Sequence, residues 1–473
     1  MDLSNFNMKK LIFAIASAVS FLITPSVIAQ DLPEIIPYRK GDKWGYCDAN
    51  KRILVPTIFD MADLPREGMA LVTVNGKSGY LDEKGNSVIQ IKYEYASPFN
   101  EGLAVFREQG KFGLLDKSGG EIYPLPYDQV LEFRDGLALV RLNGKYGAIG
   151  REGKEIVPTV YDEISRFAEG IAPVSKNRKY GYINSRGQEI TAIKYDEVKP
   201  FRQGLGMVTV RDRFGFVDTS GNEVVPLVYE KTWYFKSDNM AATEGAKFGF
   251  VGADGKALLP LSYDGFPSLS EDLIRVYNNT FGFVDKEGNI VVPHKYSDAR
   301  LFSEGMAAVE LNGKWGYVNK KGKEEVPLIY ERAGDFHEGL AMVQKEGKIG
   351  YIDEDGKTRI PFRYEWAYFE EFESKEAFSF IDGKAKVSIG NKWGYIDKKG
   401  KEIVKINYEQ VGDFSEGLAA VQLNDLWGFV DEKGVEVVPP RYEYAWYFEN
   451  GLERVKLNGK FGFINTKGVE YFD

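Results

Sequence analysis

Apolar runs of four or five residues, each cut short by a turn, recur along this chain with a fixed order. One stretch shows the pattern plainly. Leu418-Ala419-Ala420-Val421 reads as a strand, and Asn424-Asp425 follows as a short turn. Trp427-Gly428-Phe429-Val430 is a second strand, and Asp431-Glu432-Lys433-Gly434 a second turn. Val435-Glu436-Val437-Val438 is a third strand, stopped by Pro439, which cannot donate to a ladder. The first turn is written elsewhere as Asn75-Gly76, Asn143-Gly144, Asn312-Gly313 and Asn458-Gly459. Asn-Gly between apolar runs predicts a type I′ hairpin, since both residues accept positive φ. In the second turn the acid bonds backbone amides and Gly takes the left-handed position, which Lys51 fills in the first unit. The rest of each unit, such as Tyr442-Glu443 to Phe448 or Tyr330-Glu331 to Phe336, loses the period-2 alternation. It predicts an irregular or one-turn helical connector whose aromatics fill the gap between units.

Taking the Gly of the second strand as a marker, the copies are Gly45, Gly79, Gly113, Gly147, Gly181, Gly215, Gly249, Gly282, Gly316, Gly350, Gly394, Gly428 and Gly462. The steps are 34 residues, except 33 before Gly282 and 44 before Gly394. A fixed period of this size marks a repeat architecture in which each unit packs only on its neighbours. A single unit buries too few side chains to offset the ordering of its backbone, so stacking must supply the remainder. The expected fold is all-β: a tandem array of thirteen three-stranded antiparallel meanders over residues 30–473. An open, curved or superhelical solenoid is favoured because both terminal meanders look complete; one or two β-propeller-like rings are the alternative. The pattern loosens from Trp233 to Val276, and ten extra residues fall between Glu370 and Gly390. Seams near 233–276 and 370–390 are therefore expected.

The hexads Lys43-Trp44-Gly45-Tyr46, Lys314-Trp315-Gly316-Tyr317 and Lys392 to Asp397, each followed by a turn, resemble the bacterial WG repeat, also called the KWG repeat. The resemblance runs from about residue 32 to 473. It departs at Ser78 and Ile349, which replace the aromatic, and at Ala148, which follows Gly147. It implies a β-repeat module, common in bacteria and often exported, with an interaction role and no catalytic residue.

Residues 1–29 read as an export signal: Met8-Lys9-Lys10, an apolar run from Leu11 to Ile23, and Val27-Ile28-Ala29 before Gln30. The run is too short for a spanning helix, so an exported protein without a membrane anchor after cleavage is expected, in the periplasm, on the cell envelope or secreted. From Gln30 onwards 59 basic residues face 69 acidic ones, a net charge of −10, which disfavours nucleic acid as a partner. Cys47, the only cysteine, stands at a buried strand position.

Residues that escape the repeat are where chemistry is to be sought. His294 and His337 occupy different units and different repeat positions, which argues against a His-based site. Asp353-Glu354-Asp355-Gly356 opens like a calcium loop but lacks the later ligands, and no paired Cys or phosphate-loop motif exists. No cofactor, metal or catalytic residue is expected. Aromatic enrichment in three connectors stands out: Trp233-Tyr234, Trp366 with Tyr368, and Trp446-Tyr447. These six are candidate platforms for a sugar or a protein partner, against the alternative of extra inter-unit core. The expected function is a non-enzymatic exported scaffold binding a protein or envelope component, with a carbohydrate- or peptidoglycan-binding protein as the alternative.

Overall fold

A computed structural model describes residues 32–234, 241–244, 247–251, 257–366 and 378–473; the candidate Tyr368 lies outside them. Among the described residues there is no helix, and every regular element is a strand. Thirteen small antiparallel sheets follow one another in chain order.

The turns form as their residues dictate. Asn312 and Gly313 have φ of 54° and 75°, the type I′ pair, between the strands Met306–Leu311 and Lys314–Asn319. In the second turn Asp431 Oδ1 accepts the N–H of Lys433 and of Val435 at 2.9 and 2.8 Å, and Gly434 is left-handed.

The third strand is not a plain ladder partner. Trp315 pairs with Tyr330 and Tyr317 with Val326, so four steps of Glu324–Tyr330 cover two steps of the strand beside it. The bulge lies over Gly316, where a Cβ would sit 2.5 Å from the Val326 carbonyl oxygen and 2.7 Å from the Pro327 carbonyl carbon. Gly45, Gly147, Gly215, Gly394 and Gly428 face the same third-strand backbone at 2.4–2.5 Å. The repeat's Gly is thus a steric requirement of the bulge.

The connector departs from the sequence reading. It forms a two-residue strand that pairs with the first strand of the next sheet, as Asp298–Ala299 does with Glu310 and Val309. The acid-Gly pair that follows is a second type I′ turn: Glu304 and Gly305 have φ of 54° and 81°, and Ser303 and Met306 exchange both backbone bonds. Nine of the thirteen sheets therefore have four strands among the described residues, instead of three. The pairing partner lies next to the connector once the turn closes, so bonding its backbone there satisfies groups that a helical turn would leave open.

Cores lie between successive sheets. Tyr317, Val326 and Tyr330 of one unit pack with Ala341, Val343 and Ile352 of the next, and Phe336 of the connector fills the space between. Tyr317 and Phe336 meet edge to face at 4.9 Å, Tyr182–Phe201 and Phe429–Phe448 repeat the contact, and Tyr395–Phe414 makes a tilted version of it. Where the ring is Tyr, its hydroxyl also donates to a connector carbonyl, as Tyr317 does to Gly334 at 2.8 Å and Tyr395 to Gly412 at 2.6 Å.

Sheets persist through the two irregular stretches. Lys231–Tyr234, Ala241–Glu244, Phe248–Val251 and Ala257–Tyr263 form one, and Lys384–Ile389 opens another after the inserted residues. Glu338 still accepts the N–H of Gly383 across the insertion.

The chain ends meet. Asp473 donates its N–H to the Arg39 carbonyl and Arg39 donates to the Tyr471 carbonyl, at 3.1 and 3.2 Å. Leu452, Phe463, Ile36, Tyr38 and Cys47 share one cluster. These positions match Ile35, Tyr46, Ala70, Val72 and Leu81, which join the first unit to the second. The last unit thus packs on the first as any unit packs on its successor. The C-terminal meander is not self-contained: Val469 to Asp473 forms only an isolated bridge to its own sheet before crossing to Arg39.

Candidate functional site

Most polar side chains of the repeat are committed to holding it. In several units the Lys that opens the second strand pairs with the acid seventeen positions on: Lys43 with Asp60 at 2.5 Å, Lys348 with Glu365 at 2.6 Å, Lys392 with Glu409 at 3.2 Å. That acid also caps the hairpin turn, as Asp60 does by accepting the Asn75 N–H at 2.6 Å. In the last unit Lys460 pairs with Asp42 of the first unit.

The acid-Gly turns are linked as well. Glu304 accepts the N–H of Glu338 and of Gly339 in the next turn, at 2.7 and 2.8 Å. Glu67 makes the same pair to Glu101 and Gly102, and Lys117 adds an ion pair at 3.2 Å. Burial pushes the Glu67 carboxyl up, but these donors outweigh it and hold the group below its ordinary range.

Residues read as possible chemistry sit in the same framework. Asp353 accepts the Lys357 N–H and the Arg359 guanidinium, so its turn is closed by its own neighbours. His294 lies over Tyr263 at 6.2 Å, and His337 ends a strand two sheets further on. Cys47 is fully buried where the last unit meets the first, and burial pushes its thiol up to about 12. Among the described residues no group of three or more His, Cys, Asp or Glu side chains is placed to hold a metal ion.

The three aromatic connectors differ. Trp233 and Tyr234 form the end of Lys231–Tyr234, a strand described by its backbone alone. Trp366 is 36% exposed, with Phe378 stacked on it at 5.4 Å and the Arg332 guanidinium 4.7 Å from its ring centre. Trp446 is half-buried against Trp427 at 6.3 Å, and Tyr447 is 39% exposed. The structure adds Tyr444 and Phe461, exposed to a similar degree and edge to face at 6.3 Å, with the Arg454 guanidinium 4.2 Å from the Phe461 ring centre. One of the three connectors thus gathers a cluster of exposed rings around a cation.

Glu453 lies beneath that cluster. Eight other units carry Ala at its position, buried to 1% exposure or less, among them Ala307, Ala341 and Ala419. Glu453 is 9% exposed, and its Oε1 accepts the Trp446 N–H at 2.8 Å. Elsewhere that N–H bonds a first-strand carbonyl, as Arg300 does with Ala308 and Asp63 with Leu71. In the last unit the carboxyl intervenes, and the connector keeps only an isolated bridge, Tyr444 to Lys456. Burial pushes the Glu453 carboxyl up to about 8, against the weaker opposing pull of the Trp446 and Arg454 N–H groups and the Arg454 charge. Asp63, across the junction, is also raised by burial and feels Arg66 and Arg454. Sequence reading overlooked Glu453 because it weighed histidines and turn acids; the departure from Leu-Ala to Leu452-Glu453 was the available signal.

A stability test follows from the Glu453 carboxyl. Its unfolded value is about 4.3, so at about pH 3 and below both states are protonated. As pH rises to about 8 the unfolded chain releases the proton while the fold retains it, and stability falls by an amount on the order of 4 kcal/mol. Glu453→Ala is expected to remove this decline and raise the urea midpoint at pH 8 above that of the parent. Parallel pH profiles for the two proteins would refute the assignment.

A family model described as the WG containing repeat matches residues 44–77, 79–112, 112–146, 146–180, 180–213, 214–244, 281–315, 315–348, 349–393, 393–427 and 427–461. The chain belongs to the WG-repeat family. Two sheets occupy the stretch between matched residues 244 and 281, so the WG-repeat fold continues where its sequence signature lapses. No curated protein matches the chain by sequence. Among solved structures, PorZ, a surface component of the type-IX secretion system of Porphyromonas gingivalis, is 11% identical with a TM-score of 0.21, covering 92% of this chain and 72% of its own. The extracellular domain of the putative hybrid two-component system BT3049 from B. thetaiotaomicron is 8% identical with a TM-score of 0.20, covering 85% and 68%. A eukaryotic initiation factor is 11% identical with a TM-score of 0.26, covering 68% and 94%.

Proposed function

We propose that this WG-repeat protein is an exported, non-catalytic scaffold that closes its thirteen sheets into one propeller-like ring and binds a cell-envelope component. The contact of the last unit with the first, through the positions that join neighbouring units, supports closure over an open solenoid. The observation that carries the binding role is a division of labour among side chains. Lysines, turn acids and tyrosine hydroxyls serve the repeat, while Trp366, Tyr444 and Tyr447 of the connectors and the repeat aromatic Phe461 are each exposed. Large exposed aromatics are the usual anchors of binding surfaces.

A second reading, carbohydrate binding, is favoured by the Arg454 guanidinium among the rings of the last unit. The test is co-sedimentation of the purified protein with insoluble peptidoglycan and with insoluble polysaccharides, beside surface plasmon resonance on immobilised envelope-protein fractions. Saturable pelleting supports the carbohydrate reading, and saturable binding to a protein fraction the scaffold reading. An absence of both removes the envelope role.

A further inference from the structure

The last unit breaks three rules of the repeat at one place. A buried acid replaces the small residue that eight other units carry. The connector's N–H at Trp446 leaves the first strand for that acid. An arginine stands at position 454, where the preceding unit has Ala420. The first departure carries a stability cost, and a repeat can remove such a cost by reverting to Ala. Local departures that weaken a fold and persist are expected at working sites.

The consequences for shape are specific. Glu453 holds the connector at Trp446, between Tyr444 and Tyr447, so a side chain joins the Tyr444–Lys456 backbone bridge in fixing the segment that bears both exposed rings. Phe461, from the neighbouring strand, stands edge to face with Tyr444. Arg454 lies on Phe461 and has no ion pair within 4 Å among the described residues, although Asp63 and Glu453 act on it at longer range. The other basic residues at this repeat position have closer work: Lys386 pairs with Asp413 at 2.6 Å, and Arg275 donates to the Ala299 carbonyl at 2.6 Å. An arginine beside exposed rings joins a flat apolar face to a fork that matches a carboxylate.

We infer that Tyr444, Tyr447, Phe461 and Arg454 form a saccharide subsite for a sugar ring bearing a carboxylate, with Glu453 as the residue that positions it. This rests on the carbohydrate reading above. A tyrosine ring stacks on the sugar's C–H face with Phe461 edge to face behind it, Arg454 takes the carboxylate, and Glu453 acts only through the connector. A uronic acid and a sugar bearing a lactyl ether both present such a carboxylate, and both suit the same subsite.

The experiment titrates the full purified protein by calorimetry with an oligogalacturonide, its methyl ester, and a muramic-acid disaccharide freed from peptidoglycan. Either acidic sugar should bind at least about tenfold more tightly than the ester, the counterpart of roughly 1.4 kcal/mol. The tighter of the two identifies the source. Arg454→Gln should abolish the preference for acid over ester while leaving the ester's affinity. Tyr444→Ala with Tyr447→Ala should weaken both by about tenfold or more. Glu453→Ala, the repeat's own residue and so a variant that folds, should lose affinity without losing the acid preference. Equal binding of acid and ester, or binding indifferent to these variants, overturns the subsite. Pelleting with peptidoglycan that survives all of them leaves carbohydrate binding standing and refutes this location alone. If neither pelleting nor any titration shows binding, both readings fall.

Discussion

Replacing Gly316 by Ala is expected to destabilise the protein by about 3 kcal/mol or more, among the largest effects a single methyl group can have here. The new Cβ would lie 2.5 Å from the Val326 carbonyl oxygen, 2.7 Å from the Pro327 carbonyl carbon and 2.8 Å from the Leu328 nitrogen. All three are backbone atoms of the bulged third strand, so no rotamer change relieves the overlap. The strand would have to lift away, taking Val326 and Tyr330 out of the core they share with the next unit. Gly313, three residues earlier, is the control. Its φ is +75° but nothing lies within 4 Å of its Cβ position, so Gly313→Ala should cost only about 1 kcal/mol for left-handed backbone. Urea unfolding followed by tryptophan fluorescence separates the two. Equal losses would show that the Gly is kept for its dihedral angles, not for the bulge.

The same comparison marks how much of the fold was legible in the chain. The hairpin at Asn312-Gly313 and the Asp431 turn are local, and their residues announce them; both form as expected. The Gly of Lys314-Trp315-Gly316 was legible as a marker but not as a cause, because the atoms that require it come from residues ten positions later. The connector was misread for a similar reason. Asp298–Ala299 is too short to show alternation, and it becomes a strand only when Glu304-Gly305 folds it back onto Glu310. That second type I′ turn was visible as an acid-Gly pair with the right tolerance for positive φ. It was passed over because no apolar run precedes it.

Position in the sequence also hid the aromatic cluster of the last unit. Trp446 and Tyr447 were picked out by aromatic density, whereas Tyr444 and Phe461 are unremarkable beside other units' aromatics. Their meeting edge to face beneath the Arg454 guanidinium joins residues seventeen positions apart, which the pattern of residue types does not encode. Trp366 shows the converse. Its enrichment was legible, yet Phe378 and Arg332 already lie against its ring.

The proposed closure makes its strongest demand on the C-terminus, and deleting Val469 to Asp473 should have the largest effect of any change at the chain ends. The deletion removes Tyr471 and Phe472, 0% and 6% exposed, whose individual loss would each cost about 3–5 kcal/mol. It also removes the bond from Asp473 N–H to the Arg39 carbonyl, and the 2.5 Å bond that the Tyr38 hydroxyl donates to the Asp473 carboxylate. In most units the N–H of the acid that follows the third-strand Tyr or Phe bonds the first-strand carbonyl, as Asp60 does with Thr73 and Glu443 with Lys456. Asp473 performs this for the first unit, which has no described connector ahead of it, so the last residue completes the first sheet. A ring closed as proposed would unfold as one body, whereas an array with two free ends frays from both. The shortened protein should therefore be cut by protease first within its terminal units, with the central units surviving, and should show a larger radius of gyration by small-angle scattering. An unchanged radius with unchanged cleavage sites would mean that the ends meet without holding the ring shut. The terminal contacts would then be dispensable packing, and an open array the better description.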